Sequence, residues 1–200
     1  MNLLAVTETE YYAQTFKDLS YQNEAIVSKE FDECVFSHCS FRETIFRNCK
    51  FRDCIFKGSD LSLAQVKDCS FVTSKFEDSQ IIGLNWTEAS WKSKGFFKTI
   101  DFFDCVINYS TFFGLALREM NLTGCVAKEV DFAEADLSQA NCRNTDFEKS
   151  RFLNTNLTGA DFTGAINYSI AATLNTMKKT KFSLPEAISL LYSLDIILSE

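Results

Sequence analysis

The chain of 200 residues has one proline, Pro185, one histidine, His38, and only seven glycines. A β-sandwich of this length needs more turn-forming residues than that. With a single histidine and no CxxC pair, the usual ligand spacings of a zinc site are missing. There is no Gly-rich phosphate loop and no Ser-His-Asp pattern, so no nucleophile has a base to activate it. Carboxylate pairs such as Asp131 and Glu134 read as solvated charges. The expectation is a protein that is not an enzyme and needs no cofactor and no metal. No apolar run approaches the ~20 residues of a membrane span. The start, MNLLAVTETE, lacks the basic and apolar regions of a signal peptide. A cytoplasmic protein without membrane contact is therefore expected. Basic charge is also short: 20 Lys and Arg against 27 Asp and Glu leave a net charge of -7. That disfavours direct nucleic-acid binding, which relies on neutralising phosphates, and permits a basic partner.

What the chain has in excess is phenylalanine, 20 residues of it. Phe31, Phe36, Phe41, Phe46, Phe51 and Phe56 recur every five residues in FDECVFSHCSFRETIFRNCKFRDCIF. Small residues precede most of these by two positions: Cys34, Cys39, Thr44, Cys49 and Cys54. A period of five fits neither a helix nor a half-buried strand and marks a repeat architecture. It begins weakly at Phe16, Tyr21 and Ile26 and continues through Leu61, Val66, Phe71, Phe76, Ile81, Trp86 and Trp91. A second series runs from Phe97 through Phe102, Ile107, Phe112, Leu117, Leu122, Ala127, Phe132, Leu137, Cys142, Phe147, Phe152 and Leu157 to Phe162. It is offset by one residue from the first. The expectation is one extra residue within 92–96, around Lys94 and Gly95, forming a bulge or bend between two segments of one body.

Seven of the cysteines (Cys34, Cys39, Cys49, Cys54, Cys69, Cys105 and Cys125) fall in the small slot, and Cys142 takes a large one. Reduced cysteine behaves as a small buried hydrophobe, so core filling is expected rather than metal or redox chemistry. Three segments follow: residues 1–15 as an N-terminal segment or cap, 16–165 as the repeat body, and 166–200 as a C-terminal cap. In the last, Ser183 and Glu186 form a capping-box pattern with Pro185 in the first turn. A helix is expected over about 184–194, with Ala187, Leu190, Leu191 and Leu194 on its apolar face. Asp195–Leu198 reads as a short strand. These apolar residues exceed what one cap needs. Leu184, Ala187, Leu190, Leu191, Leu194, Ile196, Ile197 and Leu198 are the expected interface of a homodimer joined at its C-termini.

The cleanest repeats, ADLSQ ANCRN TDFEK SRFLN TNLTG ADFTG, resemble the pentapeptide-repeat family, whose motif is A(D/N)LXX with Leu or Phe at the centre. The resemblance covers about residues 16–165. It implies an all-β, right-handed quadrilateral β-helix in which four pentapeptides make one coil. The centre and the small residue point inward, and residues twenty apart stack. At a ~4.8 Å spacing the rod is about 36 Å long. Phe36 then lies over Phe56 and Phe76, and Cys34, Cys49 and Cys105 lie over Cys54, Cys69 and Cys125. Phe71, Phe102, Phe112, Phe132, Phe147 and Phe152 extend the inner ladder. An acidic partner-binding face is expected from Asp101, Glu129, Asp131, Glu134, Asp136 and Asp161. Arg42, Arg47, Lys50, Arg52 and Lys57 make the early coils locally basic. Within the family the chain is most similar to the topoisomerase-poison resistance group. Its length, Asn85-Trp86 with Trp91, and the tail FSLPEA are similar to the albicidin-resistance type. It departs from the Qnr type in lacking long loops. That resemblance implies a DNA-mimicking dimer that binds DNA gyrase or topoisomerase IV and protects it from a poison. The alternative is a repeat scaffold for another protein.

Overall fold

The computed structural model describes residues 8–91 and 100–197. The chain winds into an all-β parallel solenoid of about eight turns. Every strand is short, because each pentapeptide gives only three extended residues before the backbone bends. Thr15–Lys17, Val35–Ser37, Ile55–Lys57, Ser74–Glu77, Ile100–Phe103 and Leu122–Thr123 form one six-stranded parallel sheet. Its central residues, Phe16, Phe36, Phe56, Phe76, Phe102 and Leu122, make the first ladder. Isolated parallel bridges carry it on through Asn121, Asn141 and Asp161. The second ladder consists of such bridges alone, from Ser20 through Ser40, Asp60, Gln80, Val106 and Val126 to Asp146 and Ile166. The third centres on Ile26, Phe46 and Val66 and continues through Trp86, Phe112, Phe132 and Phe152. The fourth centres on Tyr11, Phe31, Phe51 and Phe71, and later on Leu117, Leu137 and Leu157.

Stacking is the main packing interaction. Ring centroids of Phe36 and Phe56 lie 4.7 Å apart, those of Phe56 and Phe76 4.8 Å, and those of Phe51 and Phe71 4.9 Å. These distances equal the hydrogen-bonded spacing of neighbouring strands, so the backbone ladder itself sets the ring stacks. Between ladders the rings meet edge to face, as Phe51 does with Phe56 and Trp86 with Phe76. Both geometries suit the aromatic quadrupole and add about 0.5–1.5 kcal/mol per pair beyond area burial.

The small slot has its own chemistry. Its hydroxyl or thiol donates to the carbonyl of the centre one coil earlier. Ser59 Oγ reaches the Phe36 carbonyl at 3.1 Å, Thr155 Oγ1 that of Phe132 at 2.9 Å, and Cys54 Sγ that of Phe31 at 3.4 Å. Serine, threonine and cysteine are therefore interchangeable here: each is small and each carries one donor. All eight cysteines are buried, unbonded thiols. Burial pushes Cys54 up to about 12 and raises Cys142 as well. Since the thiolate is the reactive species, an aromatic disulfide reagent is expected to titrate almost no thiol in native protein at pH 8 and all eight in denaturant. Rapid native labelling of several thiols would contradict the burial.

The residue two after nearly every described centre, though not Glu88, which ends the short 3-10 turn Trp86–Glu88, bends the chain in the left-handed region. Examples are Asp53 at φ 50°, Leu63 at 59°, Tyr109 at 60° and Glu134 at 60°. An L-residue there costs about 1–2 kcal/mol, which favours Asn, Asp and Gly. Six of the seven glycines occupy this position. The residue before each centre steadies the bend. Asp131 Oδ1 accepts from the Ala133 N–H at 2.9 Å, Asp136 Oδ1 from Ser138 at 3.0 Å and Asp161 Oδ1 from Thr163 at 2.9 Å. This Asx-turn geometry accounts for Asp and Asn in the repeat.

The structure corrects the expected register slip. Partners normally lie 20 residues apart, but across the slip they lie 26 apart, as Leu84 and Ser110 do. Ser90 still follows the old register, donating to the Cys69 carbonyl, whereas Ser74 pairs with Ile100. The insertion is therefore of six residues rather than one. A count in fives shows only the remainder. Lys94 and Gly95 lie outside the described residues.

The solenoid also extends past both expected limits of 16 and 165. Glu10–Tyr12 already pairs with Glu30–Asp32, and Asp161–Phe162 pairs with Lys181–Phe182. In the last coil the period loosens, with Phe152 bridging Ile170. The C-terminal helix is confined to Ile188–Tyr192, and Leu184–Ala187 form turns. Ser183 and Glu186 do not cap it. Ser183 Oγ accepts from the Gly164 N–H at 2.9 Å, and Glu186 Oε1 from the Asn167 N–H at 2.6 Å. Ser193 Oγ accepts from the Ala172 N–H at 3.0 Å. The tail thus supplies acceptors to the last coil's orphan donors, which an open solenoid end would otherwise expose. Residues 195–197 form no strand, with Asp195 in the left-handed region; Leu198 lies outside the described residues.

Candidate partner-binding surface

The six carboxylates expected to form one face are divided among several sides. Asp101 and Asp161 belong to the first ladder, Asp131 to the third and Asp136 to the fourth. Glu129 sits at the bend between the second and third ladders, and Glu134 at the bend between the third and fourth. Asp101 is only 3 % exposed. Its Oδ1 accepts from the backbone and side-chain amides of Asn121, at 2.8 and 3.2 Å. Asn141 Nδ2 then donates to Asn121 Oδ1 at 3.1 Å. Asp101 is the foot of an internal amide ladder, because this position turns its side chain along the stacking direction.

Ion pairs neutralise three others. Asp131 meets Arg151 at 3.2 Å, Asp136 meets Arg118 at 3.7 Å, and Asp161 meets Arg143 at 3.4 Å and Lys181 at 3.6 Å. The basic early coils are paired in the same way. Lys50 meets Glu30 at 2.6 Å, Arg52 meets Asp32 at 3.0 Å and Lys57 meets Glu77 at 3.6 Å. Such exposed pairs contribute about 0–1 kcal/mol each, but they cancel local charge.

The carboxylates left over are mostly at the left-handed bends. Asp18, Glu33, Asp53, Asp68, Asp78, Asp104, Glu119, Glu129 and Glu134 all have positive φ. None of them is in an ion pair among the described residues. Unpaired acid is therefore spread over all four bends of the rod, and at most two of these carboxylates fall on successive coils of one bend, as Glu33 and Asp53 or Asp78 and Asp104 do. The sequence reading names two of this set, Glu129 and Glu134, and misses the other seven, although the position two after each centre is countable.

Three carboxyls have displaced titrations: Asp161, Asp146 and Glu148, the last held below its ordinary value by its hydrogen bond with Lys128. Partial burial pushes Asp161 up, but Thr163, Lys181 and Arg143 outweigh it and hold the group below its ordinary value. Asp146 is likewise lowered against its own burial by Asn167, the Glu148 N–H and Lys128. A depressed folded-state value gives stability that is present at neutral pH and lost as pH falls through the folded value. Resistance to urea is therefore expected to hold from about pH 7 to 5 and to fall below about pH 4. An Asp146→Asn, Asp161→Asn variant is expected to lose less over that range. An equal acid loss in the variant would contradict the assignment.

At the C-terminal end the expected interface residues are exposed. Leu184 is 79 % and Ile197 93 % exposed, with Leu191, Leu194 and Ile196 also open; Tyr192, which the expected interface does not include, is 63 % exposed beside them. Leu190 and Ala187 are half-buried, and Leu190 packs on the core. No metal cluster occurs among the described residues. No described helix is long and apolar enough to cross a membrane.

Comparison with known proteins agrees with this geometry. Residues 29–112 match the family described as a pentapeptide repeat region, and 111–141 and 128–164 match pentapeptide repeats (8 copies). No curated protein sequence matches the chain. Two trypsin-treated structures of QnrB1, a plasmid-mediated fluoroquinolone resistance protein, are similar in fold. One has a TM-score of 0.62 at 17 % identity, covering 95 % of this chain and 100 % of its own. The other has a TM-score of 0.63 at 16 % identity, covering 97 % and 100 %. HetL from the cyanobacterium Nostoc, a pentapeptide repeat protein involved in heterocyst differentiation regulation, has a TM-score of 0.37 at 16 % identity, covering 88 % and 90 %. The five-residue period, the 20-residue stacking and the two matched models place the chain in the pentapeptide-repeat family.

Proposed function

We propose that the protein is a non-catalytic, DNA-mimicking rod that binds DNA gyrase or topoisomerase IV and shields it from a poison, as in the albicidin-resistance type. The solenoid is read as right-handed and quadrilateral, and its two copies as joined through the C-terminal helix and tail, in the cytoplasm. The observation that carries the reading is the placement of unpaired carboxylates at the left-handed bends. These project from a rod whose flat sides are largely neutralised by ion pairs. Total charge does not carry it. Duplex DNA has one charge per about 1.7 Å, so a dimeric rod of about 80 Å would face about 47 duplex charges by that spacing. The dimer has only twice -7. Mimicry would rest on width and on the outward bend carboxylates meeting a basic groove.

The second reading is a scaffold for another protein. The scatter of Asp101, Asp131, Asp136 and Asp161 over three sides, with Asp131, Asp136 and Asp161 neutralised, favours it. Competition for gyrase separates the two. The rod is expected to displace a fluorescent DNA duplex from gyrase, and less effectively in high salt. A rod that is folded and fails to compete at any concentration would favour the scaffold.

A further inference from the structure

The middle of the rod exposes large apolar side chains that the fold does not need. Between Val27 and Ile166 the exposed large hydrophobics of the described residues are Leu63, Tyr109 and Phe113. They fall together. Leu63, Gly83 and Tyr109 occupy the same bend on successive coils, and Leu63 Cδ2 would lie 2.8 Å from a Cβ added to Gly83. Phe113 follows Tyr109 on the same coil, just after the Phe112 centre. Tyr109 is 61 % exposed and Phe113 42 %. Core rings in this chain are a few per cent exposed, so packing does not account for either.

Carboxylates flank both rings. Tyr109 donates its N–H to the Lys128 carbonyl, which puts Glu129 one coil above it, about 4.8 Å along the stack. Gly114 donates to the Ala133 carbonyl, which puts Glu134 one coil above Gly114, beside Phe113. Glu88 lies on the coil below. All three carboxylates are exposed and outside any ion pair among the described residues. Of the nearby cations, Lys128 is engaged with Asp146 and Glu148, Arg151 with Asp131 and Arg118 with Asp136, while Lys149, one coil above Glu129, is exposed and in no ion pair among the described residues.

We infer that this surface docks an arginine-bearing segment of a basic partner protein, guanidinium groups stacking on Tyr109 and Phe113 while pairing with Glu129 and Glu134. A planar guanidinium can stack on a ring and pair with a carboxylate at once. A lysine ammonium is a point charge and gains less from the ring. A second copy of this chain is disfavoured as occupant, since the patch would bring carboxylates against carboxylates in a protein of net charge -7. The inference rests on the proposed reading only in taking the partner to be basic.

The test uses labelled nona-arginine and nona-lysine peptides with the full chain, read by fluorescence anisotropy. Nona-arginine is expected to bind about fivefold tighter. Tyr109→Asn with Phe113→Thr should abolish that preference and leave nona-lysine affinity unchanged. Asparagine suits the left-handed bend, and circular dichroism would confirm the fold. Tyr109→Phe should keep the preference. Glu129→Gln with Glu134→Gln should weaken both peptides. Equal affinity of the two peptides, or a preference that survives loss of both rings, would overturn the inference. Gyrase is absent from this assay, so failure of the topoisomerase reading would leave its result intact.

Discussion

Replacing Phe56 with alanine is expected to lower the free energy of unfolding by about 3–5 kcal/mol. Phe56 is fully buried, with Phe36 stacked below at 4.7 Å and Phe76 above at 4.8 Å. Phe51 also packs edge-on against it. Truncation removes the transfer free energy of the ring and leaves a void that neighbours cannot fill. Their backbones are held by parallel pairing on both sides, so the coils cannot slide together. Each coil touches only its neighbours, so the loss should also split cooperativity. Urea unfolding followed by circular dichroism would show a lower midpoint and a broadened or two-step transition. A change under 1 kcal/mol would mean that the ring stack does not hold the coils.

The second large effect concerns assembly. Leu191→Glu with Ile197→Glu is expected to convert the proposed dimer to monomer, halving the mass measured by light scattering. Both residues are exposed in the single chain, Ile197 at 93 %. Neither supplies the contacts that close the solenoid, which come from Ser183, Glu186 and Ser193. The variant should therefore stay folded, with unchanged circular dichroism. A wild-type protein that is monomeric at high micromolar concentration would remove the dimer from the account. The rod would then be about 40 Å long rather than 80 Å, eight steps at the strand spacing.

The parts legible in the sequence were those set by the period. Phe31 over Phe51 and Phe36 over Phe56 follow from a centre every five residues and twenty per coil. The cysteines were legible as core because thiols fit a small slot. Three features were not legible, each for a physical reason. The size of the insertion was hidden because six and one leave the same remainder in fives, and only the pairing of Ser74 with Ile100 separates them. Ser183 and Glu186 matched a helix cap in spacing, but the orphan donors of the last coil, Gly164 and Asn167, claim them. Carboxylate density along the sequence points to one acidic face, whereas the structure sorts carboxylates by their position in the repeat. Those before a centre serve the turn or an ion pair, as Asp131 and Asp161 do. Those two after a centre are mostly left for solvent, as Glu129 and Glu134 are, although Glu43 pairs with Arg42. The Asn, Asp and Gly at that position were a readable signal of left-handed bends.

The account turns on whether the rod engages a topoisomerase. The most direct measurement is DNA supercoiling by purified gyrase, with and without the protein, in the presence of albicidin, a quinolone or microcin B17. The account predicts that the protein restores supercoiling against one of these poisons. It further predicts that Glu129→Gln with Glu134→Gln weakens the rescue. A folded, dimeric protein that neither rescues nor inhibits supercoiling under any of these conditions would contradict it.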